Sequence, residues 1–183
     1  RDGIFHILQI VDDEHRDAAQ KALTDWAFAG VTAKLSRKEI WALVKTKIGL
    51  NQVRDLGGYA IPYALIMIEK RVESDAWGVL NWMEFVFSFY NPEDKDPEAK
   101  KKAIQYKLDA LNALKRYHID LFKKSETDPN IVFDRSDILI IERFDMPDAV
   151  AYMLELALHP KVKADTQYDA LIIGERMFDT LVP

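Results

Sequence analysis

Among the carboxylates of this sequence, Glu84 is the first candidate for an acid–base role, because it lies in the apolar stretch AWGVLNWMEFVFSFY at 76–90. A buried carboxylate is costly unless it is paired, and burial would raise its pKa toward that of a general acid. His118 falls on the apolar stripe of a later helix, where it would be a buried base. Glu84 and His118 are therefore the pocket candidate of an enzyme hypothesis.

A structural explanation of both residues is favoured over the catalytic one. Asn81, Glu84 and Ser88 follow an i, i+3, i+7 spacing, so a helix would place them on one narrow polar stripe facing solvent. Alternatively, Glu84 would pair with a Lys or Arg of a neighbouring helix. A lone core histidine such as His118 is more often simply hydrogen-bonded. We therefore predict no catalytic residue.

The segment at 97–124 is basic on an otherwise acidic chain. Residues 98–124 carry eight Lys or Arg against three acidic residues, whereas the whole chain has a net charge of −5. The candidate partner-binding or polyanion-binding cations are Lys100, Lys101, Lys102, Lys107, Lys115, Arg116, Lys123 and Lys124. They would contact an acidic protein surface or a phosphate backbone, with Tyr106 and Tyr117 adding stacking. The pI near 5.4 is far below that of a dedicated nucleic-acid binder, so nucleic acid is the alternative partner.

Metal-capable side chains are close together near the start of the chain, at His6, Asp12, Asp13, Glu14 and His15. The i, i+4 ligand spacing of a helical metal site is absent from them. Acidic residues at 12–14 suit the positive end of a helix dipole instead. We predict no metal and no cofactor.

The sequence motifs of common enzymes are also absent. There is no G-x-x-x-x-G-K-[ST], G-x-G-x-x-G or G-x-S-x-G. The chain has no cysteine, which excludes disulfides, thiol nucleophiles and thiolate metal sites. No constellation of residues supports catalysis, and we predict that the protein is not an enzyme.

The elements that would position these residues are mostly helices. The stretch at 76–90 predicts a central buried helix, since its six aromatic residues can each bury roughly 150–250 Å². Ser36 and Glu39 form a capping box at the start of another helix. Asp96-Pro97 begins the longest predicted helix, 97–124, and further helices are predicted at about 13–29, 147–158 and 165–180.

Apolar spacing predicts which helical residues are buried. The predicted inward residues of the last three helices are Ile104, Leu108, Leu111, Leu114, His118, Leu121, Phe122, Val150, Met153, Leu154, Ala157, Tyr168, Leu171, Ile172 and Phe178. The run at 4–11 fits either a strand or the beginning of a helix. The β-prone runs at 131–133 and 138–141 suggest a hairpin. The expected fold is mainly α, a bundle of about six helices with at most a small β-hairpin or short sheet.

Residues 35–72 have a more particular pattern: a helix over RKEIWALVKTKIGL, a turn, a Gly57-Gly58 break and a second helix over YALIMIEKRV. Over this fifth of the chain, the apolar spacing resembles the helical accessory modules of phage antirepressor-like proteins. The resemblance implies a phage or mobile-element protein with an accessory, regulatory role. It identifies no base-reading residue.

Length and composition favour one domain over residues 1–183, with a division into 1–74 and 75–183 as the alternative. A chain of 183 residues can bury about 70 % of its unfolded surface in a single core. No apolar run reaches the roughly 18–20 residues of a membrane span, and no signal peptide is recognisable, so we expect a cytoplasmic protein. The absence of an initiator Met suggests a trimmed chain or a piece of a longer protein.

The function predicted from these features is a non-catalytic protein-interaction or regulatory module with a protein partner. A nucleic-acid-associated protein using the helix at 97–124 is the first alternative. An enzyme with a pocket near Glu84 and His118 is the second. The oligomeric state is left open.

Overall fold

The computed structural model describes residues 2–44, 47, 50–71, 76–89, 91 and 95–181, and within them it contains helices and turns but no strand. The mainly α prediction is confirmed. The helices are α1 (Asp2–Ile10), α2 (Asp13–Ala27), α3 (Arg37–Val44), α4 (Leu50–Val53), a 3₁₀ segment (Arg54–Ala60), α5 (Ile61–Lys70), α6 (Ala76–Phe87), α7 (Pro97–Lys124), α8 (Arg135–Glu142), α9 (Pro147–Ala157) and α10 (Ala164–Leu181). The described ranges thus hold more helical segments than the six or so predicted. None of the helices in these ranges combines the length and the apolar character needed to cross a membrane.

The chain divides into two compact units, residues 1–106 and residues 107–183. The division falls inside α7, whereas the sequence suggested either one domain or a division at residue 74.

Local capping explains where the helices of residues 1–106 begin. The Asp12 carboxylate accepts a hydrogen bond from the His15 backbone N–H at 3.0 Å and caps α2. At α3, the Ser36 backbone N–H donates to Glu39 Oε2 at 2.7 Å, and the Glu39 backbone N–H is 3.4 Å from Ser36 Oγ. This is the predicted capping box. The residues at 45–46 and 48–49, where the end of this helix was predicted, lie outside the described ranges.

The aromatic stretch forms α6, which ends at Phe87 and packs against α5. Val79, Trp82, Met83, Phe85 and Val86 are buried. Phe85 and the following Phe89 meet edge to face, with ring centroids 5.4 Å apart. The burial of this segment agrees with the sequence, while its central position in the molecule stays a prediction. Tyr90 and the side chain of Trp77 lie outside the described residues.

The suggested hairpin is wrong, because residues 131–133 have no regular secondary structure and the run at 138–141 lies in α8. The run at 4–11, for which a strand and the beginning of a helix were both left open, lies mostly in α1. Asp134 caps α8 by accepting from the Ser136 N–H at 2.8 Å, while Asp137 accepts from the Asp134 N–H at 3.1 Å. This reciprocal box starts a helix that buries Ile138, Ile140 and Ile141, and so overrides the β propensity of these residues.

The bounds of α7, α9 and α10 agree with the predicted helices, but several inward residues were assigned wrongly. The side chains that were predicted inward and are exposed are Ile104, Leu154, Tyr168, Leu171, Ile172 and Phe178. In α10 the buried residues are Thr166, Ala170, Ile173, Gly174 and Met177. The helix approaches α9 so closely that a Cβ at Gly174 would lie 3.2 Å from Met153 Cγ. The small residues therefore face α9, because they allow the tighter packing.

Candidate functional site

The predicted cations of α7 differ in their surroundings. Lys100, Lys101, Lys102, Arg116, Lys123 and Lys124 are exposed. Lys124 forms an ion pair with Asp120 one turn earlier, at 2.5 Å. Lys107 and Lys115 are only partly exposed.

Lys107 and Lys115 make contacts within residues 107–183. The Lys107 ammonium donates to the backbone carbonyl of Phe144 at 3.5 Å, and its partial burial lowers its pKa. The Lys115 ammonium lies 4.6 Å from the ring centroid of Tyr152, a cation–π contact. These two cations therefore make stabilising contacts within their own unit. Nucleic-acid association stays a prediction.

Glu84 and Asn81 lie on the exposed side of α6, and Ser88, directly after the helix, is exposed as well. This is the solvent-facing polar stripe that their spacing predicts. The Glu84 side chain is thus open to solvent rather than enclosed in a pocket. Glu84 belongs to residues 1–106, whereas His118 belongs to residues 107–183.

His118 is fully buried in a cluster of aromatic and polar side chains. Its Nδ1 is 2.9 Å from the Tyr152 hydroxyl, and its Nε2 is 3.8 Å from Asp137 Oδ1. The ring stacks on Tyr152 and meets Phe133 edge to face, with centroids 5.9 and 4.9 Å away. Asp137 is also buried, and it caps α8 at the same time.

The proximity of the Asp137 carboxylate to Nε2 favours the tautomer with its proton on Nε2. Nδ1 then accepts the hydrogen bond of the Tyr152 hydroxyl. Burial raises the pKa of Tyr152 well above its usual value, and Glu155 and Asp137 add to this effect, so the hydroxyl keeps its proton. The cluster resembles a catalytic relay in composition, but its burial suits a structural role that joins α7, α8 and α9.

The acidic and histidine residues near the chain start serve as a helix cap. His15 Nδ1 lies 2.7 Å from the Asp12 carboxylate that caps α2, and His6 Nδ1 lies 2.9 Å from Gln9 Oε1. The hydrogen bonds from His15 lower the pKa of Asp12. Within the described part of the chain, no three His, Asp or Glu side chains are grouped closely enough to hold a metal ion.

Helix α10 carries several large apolar side chains that are exposed on one side. Tyr168, Leu171, Ile172 and Phe178 are 65 %, 48 %, 44 % and 54 % exposed. They follow the i, i+3, i+4 spacing of one helix side, and Phe178 lies seven residues, or about two turns, after Leu171. Leu154 of α9 adjoins them, since its Cδ2 would lie 3.9 Å from a Cβ at Gly174, between Leu171 and Phe178 along the helix. We call these five side chains, Leu154, Tyr168, Leu171, Ile172 and Phe178, the outer apolar face.

Acidic residues accompany the outer apolar face. Helix α10 carries four carboxylates, at Asp165, Asp169, Glu175 and Asp179, against the single cation Arg176. Arg176 forms an ion pair with Glu142 of α8, and Arg135 of α8 pairs with Asp169 at 3.7 Å. Glu175 and Asp179 are exposed on the outer side of the helix. The surface is therefore apolar with acidic neighbours.

Sequence reasoning missed this face because α10 has two apolar sides, and the larger side chains were assigned to the core. The sequence signal that distinguishes the buried side of α10 from the exposed side is the pair of small residues Ala170 and Gly174, at i and i+4. Small residues mark the side on which helices approach most closely.

Comparison of the chain with protein-family models, with curated proteins and with solved structures gave no match.

Proposed function

We propose that the protein is a non-catalytic interaction module that binds a partner protein through the outer apolar face. The observation that carries this proposal is the exposure of four large apolar side chains on α10, a helix whose other side is already packed against α9. Single apolar residues are common on protein surfaces, whereas several large apolar side chains grouped on one side of a helix favour an interaction site.

The composition of the face suits a binding surface. Tyr168 and Phe178 supply aromatic rings, which are frequent at the energetic centres of interfaces. Full burial of a Leu, Ile or Phe side chain is worth roughly 1.5–3 kcal/mol, so covering the exposed parts of five side chains would support an interaction of useful affinity. Packing against α9 holds the helix in place before binding, which reduces the entropy cost.

The charges indicate the chemistry of the partner. Glu175 and Asp179 are exposed on the same helix side, among the apolar side chains, while Arg176 is engaged with Glu142. A complementary surface would present apolar side chains interspersed with Lys or Arg, as on a basic amphipathic helix. Such complementarity favours the correct partner and accelerates association at low salt.

A regulatory role in a phage or mobile element is part of this proposal, and it is supported by the pattern at 35–72 alone. The antirepressor-like resemblance concerns helices of residues 1–106, whereas the outer apolar face belongs to residues 107–183. The two arguments are independent of each other.

Site-specific photo-crosslinking in cells of the source organism tests the proposal. A photoreactive phenylalanine analogue at Tyr168 should capture a distinct protein, and the crosslinked peptide should contain apolar and basic residues. The matched control places the same analogue at Ile119 of α7, which is similarly exposed but lies outside the face. The purified partner should then bind the Leu171→Ser variant at least about tenfold more weakly than the unaltered chain.

Equal capture from positions 168 and 119 would contradict a specific surface. Crosslinks at 168 to nucleic acid alone, or to a second copy of this chain, would also overturn the proposed partner class. Sedimentation of the purified protein over a range of concentrations identifies the second of these outcomes.

A further inference from the structure

A groove on residues 1–106 brings together side chains from four separate elements. It has a volume of about 490 Å³ and is lined by Asp17 and Gln20 of α2, Tyr59 of the 3₁₀ segment, Pro62 of α5, and Lys102 and Tyr106 of α7. This volume lies within the range of about 300–1,000 Å³ that small-molecule sites occupy. The groove shares no residue with the outer apolar face.

One wall is held in place by hydrogen bonds between elements distant in sequence. The Tyr59 hydroxyl donates to Asp17 Oδ2 at 2.7 Å, and this bond raises the pKa of Tyr59, so the ring stays neutral and fixed. The Gln20 amide donates to the Asp55 carbonyl at 3.0 Å. Gly57 has a φ of +61°, and a Cβ there would lie 3.1 Å from Gln20 Oε1, so this close approach favours glycine.

The opposite wall combines a cation with an aromatic ring. The Lys102 ammonium lies 5.7 Å from the centroid of the Tyr106 ring, and Tyr106 in turn meets Phe89 edge to face at 6.5 Å. Phe89 also lies beside Gly58, at 3.9 Å from the position of a Cβ there. The Tyr106 ring is thus supported by its neighbours.

The groove is lined by one carboxylate, on Asp17, and one ammonium group, on Lys102, and their surroundings differ. Asp17 already accepts the hydrogen bond of Tyr59, which uses part of its capacity to bind a cationic group. The Lys102 side chain is exposed at the rim, where it can pair with an anionic group. Tyrosine rings and a proline offer flat apolar surfaces to a ring.

We propose that this groove binds a small aromatic anion, with its ring against Tyr59 and Tyr106 and its carboxylate or phosphate group paired with Lys102. The same chemistry occurs in nucleoside monophosphates and in aromatic carboxylates, and the test distinguishes between these sources.

Isothermal calorimetry on the full chain, with four probes, tests the proposal. Uridine 5′-monophosphate and phenylacetate are the two anions, and uridine and phenylacetamide are their neutral counterparts. We expect saturable binding of at least one anion, and at least about tenfold weaker binding of its neutral counterpart, since a hydrogen bond to a charged group is worth about 1.5–3 kcal/mol. The anion that binds more tightly shows whether the ligand belongs to the nucleoside monophosphates or to the aromatic carboxylates.

The variants Lys102→Gln and Lys101→Gln provide a matched comparison. Both residues are exposed on α7, but only Lys102 lines the groove. Lys102→Gln should weaken anion binding about tenfold, and Lys101→Gln should leave it within about twofold. Tyr106→Leu keeps an apolar side chain while removing the ring, and should weaken binding of the anion and its neutral counterpart alike.

The proposal is overturned if neither anion saturates at millimolar concentration, or if the neutral probes bind as tightly as the anions. Equal effects of Lys101→Gln and Lys102→Gln would also overturn it, because they would indicate a diffuse charge effect. Circular dichroism of each variant shows whether it remains folded, and the exposed Lys102 position keeps the test valid if Tyr106→Leu unfolds. Loss of groove binding would leave the crosslinking at position 168 unaffected.

Discussion

The neighbours of His118 suggest a catalytic role, whereas its burial indicates a structural one. Beside a tyrosine hydroxyl and an aspartate, it has the neighbours of a catalytic histidine. Its complete burial denies a substrate access, while its contacts connect three helices. A buried polar cluster of this kind stabilises a fold only when its hydrogen bonds are made, so each member is costly to remove.

Tyr152→Phe removes the hydroxyl that donates to His118 Nδ1 and keeps the ring. We expect the free energy of unfolding to fall by about 1–3 kcal/mol, because the buried imidazole loses its hydrogen bond. Urea denaturation at neutral pH measures this change. Tyr168→Phe is the matched control, since its hydroxyl is on the exposed side of α10, and its effect should stay within about 0.5 kcal/mol. Equal effects of the two substitutions would contradict the role of the cluster.

Alkaline pH adds a second test of the same hydroxyl. The pKa of Tyr152 is higher in the folded protein than its ordinary value of 10.0, chiefly because of burial. A group with a raised folded pKa contributes stability that is complete below its unfolded pKa and is lost as pH rises above it. The unaltered protein should therefore lose more stability above pH 10 than Tyr152→Phe. Parallel pH profiles of the two proteins would count against this assignment.

At the scale of elements, the contact between α9 and α10 depends on Gly174. A Cβ at this position would lie 3.2 and 3.3 Å from Met153 Cγ and Cβ, so larger side chains would force the helices apart. We expect Gly174→Leu to lower the free energy of unfolding by about 1–3 kcal/mol through overpacking. Thermal or urea unfolding measures the loss.

Ala151→Leu is the control for this substitution. Ala151 is on the exposed side of α9, so the added side chain meets solvent and the change should stay within about 0.5 kcal/mol. A stable Gly174→Leu protein would mean that the two helices are not packed as closely as described.

At the scale of the whole chain, charge and apolar exposure are unevenly distributed. Helix α7 carries eight of the 25 Lys and Arg residues, and the large exposed apolar side chains include four on α10, among acidic residues.

Two paired variants of α10 test which side of the helix faces the solvent. Leu171→Ser with Phe178→Ser should keep the free energy of unfolding within about 1 kcal/mol of the unaltered protein and reduce binding of a hydrophobic dye. Ile173→Ser with Met177→Ser alters the same helix at buried positions and should cost about 4 kcal/mol or more. Chemical denaturation of both proteins compares the two sides. The reverse order of stability would place the outer apolar face in the core and remove the basis of the proposed function.

Local sequence determined most helix beginnings, because the capping groups are adjacent to the backbone atoms that they satisfy. The pair Ser36 and Glu39 predicted α3, Asp96-Pro97 predicted α7, and Pro147 predicted α9. The exposure of Glu84 also follows from spacing alone, since Asn81 shares its side of α6 and Ser88 follows directly after the helix. The capping box of Asp134 and Asp137 was equally local, but the β-branched run after it directed the prediction to a hairpin.

Only the tertiary structure decided which apolar side of a helix is buried. On α10, periodicity allowed either the large side chains or the small ones to face inward, and close packing on Met153 selected Ala170 and Gly174. The tertiary structure also places His118 beside Tyr152 and Asp137. In the same way, it places Lys102 and Tyr106 in the groove with Asp17. Such neighbours are 15 to 89 residues apart in the chain. Helix caps are short-range and can be read from sequence, whereas burial and binding sites depend on side-chain volumes and distances between separate elements.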